Sequence, residues 1–424
     1  MARGDGTLRF VRDGYLFGTR GFRASGADHF RTRLLGRRVL VLRGAEAARF
    51  FYEGGRFERA GAMPRSVLKL LQDEGSVQSL EGEAHRRRKE LFLGLLTGPS
   101  GDALVERFRG EFRRRVDAVA GGDVVLLDFF HDVLTRAVSS WAGLPDDVAA
   151  ELRETQVLAQ MVDSAGTVGP ENWAVRRRRA RAEQLLADAV RREREMHAAP
   201  GGSPLTVVAG YTEPIPGVEP EPGAAPREHL LSPDVAAVEL LNLLRPTVAV
   251  GRYLTFAALA LHRHPGWRDD LAGGDEIGVR WFAQEVRRFY PFFPLIGGRA
   301  TRDLEWRDEK VRRGDWVLLD LYGTSHDPAL WDQPNRFLPQ RFDGLVVEQN
   351  TLIPQGGGGY HDGHRCPGEP VTLGLLDEGI RMLTRELAYD VPEQDLRVSL
   401  RTFPARPESG FVVTGLRAVQ RAAA

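Results

Sequence analysis

Cysteine is almost absent from this sequence: Cys366 is the only one in 424 residues. That excludes an internal disulfide framework and fits a reducing cytoplasm. Lysine is scarce too, at positions 69, 89 and 310, so arginine carries the basic side; genomic bias accounts for this better than function does. Net charge is missing as well, because 58 basic and 58 acidic residues cancel. Composition therefore points neither to nucleic acid nor to an anionic membrane surface. No run of about 18 uncharged apolar residues occurs, and the nearest, Pro246 to His262, contains Arg252. The N-terminus, Met-Ala-Arg-Gly-Asp-Gly-Thr, has no apolar run of signal type. A cytoplasmic protein with no membrane anchor is expected.

What is present is ordinary for a globular chain, 42% hydrophobic and 27% charged. Val39–Leu42 reads as a strand and Ala45–Tyr52 as a helix stopped by Gly54-Gly55. Phe129, Phe130, Val133, Leu134, Ala137, Val138 and Trp141 recur at helical spacing. Arg176–Arg192 is a charge-rich helix. Residues 200–226, rich in Pro, Gly and Glu, read as a surface loop inside a single domain over 1–424, since helices flank them. Ser232-Pro233 opens a helix of about 30 residues, near 45 Å long, and Gly278–Tyr290 is another. Leu304–Trp306, Lys310–Val311 and Trp316–Leu321 read as strands, with a hairpin signal at Arg312-Arg313-Gly314-Asp315. The fold class is mainly α with a minor β-sheet.

The chemistry gathers around Pro354-Gln355-Gly356-Gly357-Gly358-Gly359-Tyr360-His361-Asp362-Gly363-His364-Arg365-Cys366-Pro367-Gly368-Glu369. Glycines there let backbone approach something closely, and an apolar helical segment follows (Val371, Leu375, Leu376, Ile380, Leu383). A lone cysteine is by itself a small buried hydrophobe as readily as a ligand. A thiolate at the mouth of a helix, beside His364 and Arg365, suits a soft metal centre with anionic arms, and haem is one that accepts axial thiolate.

Upstream, Glu285-Val286-Arg287-Arg288 sets a carboxylate and a guanidinium three apart on one helix face, and Phe337-Leu338-Pro339-Gln340-Arg341-Phe342 offers a second arginine. A mid-helix Arg-Pro, an E-x-x-R helix, an F-x-P-x-R-F loop and a Gly-rich Cys loop, in that order, resemble the cytochrome P-450 haem-thiolate family over residues 30 to 418. The resemblance implies a triangular helical domain with Cys366 as proximal ligand of haem b. It also implies Glu285, Arg288 and Arg341 as a buried structural network, and His364, His85, Lys89 and Arg59 as partners of the haem propionates. Tyr290 is carried over with the cofactor-binding residues. Arg86 to Arg88 are expected to be solvated.

Family members ordinarily carry an acid–alcohol pair in the long helix. Here the residues are Leu243-Leu244-Arg245-Pro246-Thr247-Val248. Pro246 removes a helical hydrogen bond and is expected to bend the helix. Arg245 is a permanent cation among apolar residues and needs an anion. A carboxylate such as Glu239 is one candidate, a substrate carboxylate bound bidentately the other. The Arg-Pro pair resembles the bacterial fatty-acid peroxygenase branch, as do Gly82–His85, Leu91–Thr97, Leu318–Thr324 and Pro407–Phe411. So does Gly359, standing where most haem-thiolate enzymes have phenylalanine.

That branch implies hydroxylation of medium- or long-chain fatty acids at the alpha or beta carbon by hydrogen peroxide. Arg245 and Pro246 would hold the substrate carboxylate as acid–base, with no NAD(P)H, flavin or redox partner protein. Gln78 is expected near the carboxyl end, and glutamine there goes with hydroxylation where histidine goes with decarboxylation. Phe292, Phe293, Leu295 and Ile296 are expected to line the alkyl pocket, although apolar runs are also plain core. Terminal-alkene formation and a reductase-dependent monooxygenase of the same fold are the alternatives.

Overall fold

The computed structural model describes residues 5–71, 75–167, 169–196, 202–215 and 226–419. Its centre is the helix Pro233–Arg263, 31 residues long and so about 46 Å at 1.5 Å per residue. Ser232 caps it, its hydroxyl accepting from the Val235 N–H at 3.2 Å, and Pro233 takes the first position, where no N–H partner is needed. This long helix is buried on nearly every face from Ala236 to Leu261, as an all-round apolar helix must be. Helices Leu126–Ala142, Val157–Asp163, Pro170–Glu195 and Glu369–Arg381 pack around it. It continues through Pro246, where the Thr247 hydroxyl donates to the Leu243 carbonyl one turn back at 2.8 Å.

A five-stranded sheet flanks the helices in the order His29–Leu34, Arg37–Leu42, Trp316–Asp320, Leu295–Ala300, Phe57–Glu58. Trp316–Asp320 runs parallel to Arg37–Leu42 and antiparallel to Leu295–Ala300. Both faces are covered: Trp316 and Leu318 pack with Phe17, Phe22 and Phe30, while Val317 and Leu319 pack with Ala47, Phe51 and Phe57. Period-2 alternation then separates two expected pocket residues. Leu295 joins the Phe17 side and Ile296 the Phe51 side, so they cannot face one pocket together.

Two local expectations are corrected. The hairpin lies between Leu304–Trp306 and Glu309–Val311, turning at Arg307 with φ of 54°. The turn at Gly314 instead delivers the chain into the larger sheet, its N–H donating to the Ala300 carbonyl at 2.7 Å. Within 200–226, Ser203 caps a helix Pro204–Ala209, and Thr212–Pro214 pairs antiparallel with Glu228–Leu230. Residues 200–201 and 216–225 of that expected loop lie outside the described residues.

No helix among the described residues is long and apolar enough to cross a membrane. Ser232→Ala should cost about 1 kcal/mol, the usual loss of an N-cap, seen as a lower denaturant midpoint with unchanged helical content.

Candidate active site

Cys366 lies three residues before the helix Glu369–Arg381, half-buried beneath a loop bent at Gly356 and Gly358 with φ of 91° and 81°. The Gln355 carbonyl accepts from the Cys366 N–H at 3.4 Å, and the Gln355 amide lies 3.9 Å from Sγ. Burial pushes the thiol pKa up, while the Gly368 N–H, Lys89 and Arg287 oppose that rise. Gly359 has a steric reason. A Cβ there would sit 1.9 Å from Asp362 Oδ1, inside a turn closed by the Gly363 N–H on the Gly359 carbonyl.

The cations expected around this loop come together. Lys89, buried on helix Gly82–Leu96, donates to the carbonyls of Gly363 and Arg365, and burial lowers its pKa to about 8. His85 stacks on His364 with ring centroids 4.0 Å apart, and His364 Nε2 lies 3.2 Å from Glu81 Oε2. Arg59 donates to the Gly297 carbonyl at 3.0 Å, and its own N–H donates to Glu81 Oε1 at 2.7 Å. Glu81 thus ties Arg59 to His364, a role sequence reasoning missed. His85 is 5% exposed, its imidazole makes no hydrogen bond to a described residue, and burial pushes its pKa down to about 3. Tyr290 does not join them. It packs against Phe256, Phe289 and Phe337, beside Arg263, because the helix Glu276–Phe289 ends just before it and turns its ring into the core.

These residues fit haem. The thiol is half-buried, and no group of three or more His, Cys, Asp or Glu among the described residues could hold a bare ion. A partnerless imidazole and three further basic side chains beside it are what anionic propionates require.

On one side, Glu285, Arg288 and Arg341 form the expected closed network. Arg288 grips Glu285 through two bonds of 2.7 Å, and Arg341 Nε adds a third at 3.1 Å. The Leu338 N–H reaches Glu285 at 2.8 Å. Spare Arg288 donors take the Ser325, Pro334 and Arg336 carbonyls. A second network joins Arg287 and Arg365 through Glu369, and nothing singled it out beforehand.

The long helix carries the other half of the site. Arg245 is 3% exposed and donates to the Leu70 carbonyl at 3.2 Å, the Leu71 carbonyl at 2.6 Å and Asn242 Oδ1 at 3.0 Å. Glu239 is not its partner. That carboxylate is held by Arg88, the Val77 N–H and the Asn242 amide. Arg88, expected in solvent, is therefore 2% exposed and also pairs with Glu213. Helical spacing explains the error: His85, Arg88, Lys89 and Phe92 share one buried face. Burial lowers the Arg245 pKa to about 9, with Arg179 as a like charge nearby. The Gln78 amide donates to the same Asn242 oxygen at 3.1 Å, so Asn242 couples Gln78, Arg245 and Glu239. Phe292 stacks on Tyr253 at 4.3 Å, while Phe293 is 43% exposed.

A lone thiol under a glycine-rich loop, a closed E-x-x-R network and an all-round buried helix above them define a haem-thiolate site. A family model described as Cytochrome P450 matches residues 279–371. (+)-Menthofuran synthase of Mentha piperita is 28% identical over 136 residues, 31% of this chain and 26% of that protein. Cytochrome P450 71A8 of Mentha piperita is 28% identical over 116 residues. The match thus spans about a quarter of these curated relatives' length. Solved structures match over nearly the whole chain. Cytochrome P450SP alpha (CYP152B1) in complex with (R)-ibuprophen is 40% identical, with a TM-score of 0.90 and coverage of 98% of this chain and 99% of that one. Cytochrome P450EX alpha (CYP152N1) with myristic acid is 36% identical, with a TM-score of 0.89 and 98% of each chain covered. A variant of cytochrome P450 OleT in complex with arachidonic acid is 30% identical, with a TM-score of 0.90, covering 99% and 98%. The chain belongs to the cytochrome P450 family. Within it, the full-length likeness is to the CYP152 proteins.

Glu285→Gln removes the carboxylate shared by two buried guanidiniums. It should cost about 3–5 kcal/mol, read as a lower melting temperature and loss of the thiolate-type absorption of the carbon-monoxide complex.

Proposed function

We propose that this chain is a peroxygenase that hydroxylates fatty acids at the alpha or beta carbon with hydrogen peroxide. The observation that carries the reading is Arg245, a buried guanidinium with no carboxylate partner among the described residues and three of its five donors engaged there. Glu239 is committed elsewhere, and on this reading the anion arrives with the substrate. The ligands named with the three similar structures are all carboxylic acids, which supports a carboxylate as that anion.

Haem b, when bound, supplies the oxidising centre, and the Cys366 thiolate donates electron density that favours O–O cleavage. Arg245 orients the substrate carboxylate, with Asn242 holding the guanidinium in place. Between Leu243 and Val248 the only protic side chain besides Arg245 is Thr247, whose hydroxyl is spent on the Leu243 carbonyl. The substrate carboxylate therefore accepts one proton from peroxide and returns it to the departing oxygen, which leaves as water. Acid and peroxide give hydroxy acid and water, with no NAD(P)H, flavin or redox partner. Gln78 contributes an amide that cannot titrate, which favours hydroxylation over loss of carbon dioxide. Phe292, stacked on Tyr253, is the pocket residue this geometry supports best; Leu295 and Phe293 are less suited, one facing the sheet's outer core and the other solvent.

Purified protein with peroxide and saturated acids should give 2- and 3-hydroxy acids by mass spectrometry. Mostly terminal alkene, or turnover only with a reductase system, would overturn the reading. Arg245→Leu should lower peroxide-driven turnover of fatty acids at least about 100-fold, the loss of a positioned acid–base. Gln78→His should raise the alkene fraction without abolishing peroxide use.

A further inference from the structure

A zero net charge conceals a basic, apolar-tipped edge, where Arg33 and Arg38 lie on one side of a hairpin tip and Arg37 on the other. The short helix Thr7–Asp13 turns Phe10 inward, against Phe17 at 5.2 Å and Phe403 at 5.4 Å. It leaves Leu8 84% and Val11 63% exposed, three apart on its outer side. Beside them stands the tip of the hairpin His29–Leu34 and Arg37–Leu42, where Leu35 is 62% exposed. The two pieces are bolted together. Thr7 Oγ1 accepts from the Leu35 N–H at 2.7 Å, Asp5 accepts from the Gly36 N–H at 2.6 Å, and the Gly6 N–H reaches the Arg33 carbonyl at 2.7 Å. Three apolar side chains are therefore presented to water by a fixed backbone.

Two local choices at this tip run against stability. Leu35 has φ of 52°, the left-handed region where glycine or asparagine costs less. Arg33 stands directly opposite Arg38 across the hairpin, a like-charge pair that weakens a two-stranded ladder. Arg33, Arg37 and Arg38 are exposed, and none makes an ion pair with a described residue. Arg12, 69% exposed, adds a fourth guanidinium, partly offset by buried Asp13. Exposed Asp5 gives its oxygens to Thr7 and Gly36 and its charge acts on Arg33, while Asp315 lies near Arg299 as Arg37 does, so the basic charge here is partly offset.

We propose that this edge docks on an anionic lipid bilayer, Leu8, Val11 and Leu35 entering the interface while Arg33, Arg37 and Arg38 meet the headgroups. A negative surface relieves the Arg33–Arg38 repulsion, and the hydrocarbon boundary accepts leucines that the fold leaves in water. Charge complementarity selects this occupant over a second copy of the chain, whose identical arginines would face one another across a two-fold axis. The proposal stands independently of the catalytic reading, because none of these residues belongs to the haem site.

The test uses the full-length holoenzyme and sedimentation with sucrose-loaded vesicles. Vesicles of phosphatidylglycerol and phosphatidylcholine should carry the protein down at low salt, and pure phosphatidylcholine should not. The combined variant R33Q/R37Q/R38Q should lower partitioning about 100-fold, from several-fold per arginine. L8S/V11S/L35N should lower it about tenfold while melting no lower than native, since asparagine suits the left-handed site. Carbon-monoxide spectra of both variants should match the native protein. Native protein left in the supernatant with anionic vesicles would overturn the proposal. So would variants that sediment like the native chain, or a concentration-dependent dimer that the apolar variant abolishes without any vesicle binding.

Discussion

A guanidinium carried into the middle of a buried helix, and left without a carboxylate among the described residues, is the constraint on which the rest of this site depends. Removing a cation from water costs several kcal/mol even after relaxation, and Arg245 recovers part of that from two backbone carbonyls and one amide oxygen. The carboxylate six residues back on the same helix, Glu239, would neutralise it. Arg88 prevents this by taking Glu239 first, and Asn242 spaces the two by donating to one and accepting from the other. The result is a buried positive charge that no carboxylate among the described residues pairs with. Specificity for carboxylates then follows from electrostatics, before shape is considered.

The molecule's buried charges fall into closed and open sets, and the difference tracks role. Glu285 with Arg288 and Arg341 is closed: both carboxylate oxygens are bonded, and the spare donors meet carbonyls. Glu369 with Arg287 and Arg365 is closed in the same way. Such sets lock elements in place around the Cys366 loop. Two sets are open. Arg245 lacks an anion among the described residues, and the four basic side chains of His85, His364, Lys89 and Arg59 meet Glu81 at His364 and Asp362 near Lys89, fewer acids than bases. The open sets lie where a substrate carboxylate and the haem propionates are needed.

Much of this was legible in the sequence because the relevant signals are local or of fixed spacing. The Ser232-Pro233 cap, the strand at Val39–Leu42 and the three-residue interval from Glu285 to Arg288 fix backbone geometry directly. What escaped was tertiary pairing. Arg88 looked like one of three solvated arginines, yet its burial is set by Glu239, 151 residues away; the shared face with His85 and Lys89 was the available clue. Asn242 gave no motif at all. Leu295 and Ile296 were grouped by adjacency although a strand sends neighbours to opposite faces. Tyr290 followed a resemblance at a helix end, where one residue's turn decides which side a ring enters. The turn at Gly314 was read as a hairpin because strand partners that lie far apart in sequence leave no local mark.

The central claim is that the substrate's own carboxylate completes the charge and proton balance at Arg245. It is tested most directly by offering the enzyme a saturated fatty acid and its methyl ester, equal in chain length, with peroxide as sole oxidant. The account predicts hydroxylation of the acid at least about 100-fold faster than of the ester, since the ester neither pairs with Arg245 nor carries the proton. Equal turnover of acid and ester would contradict it.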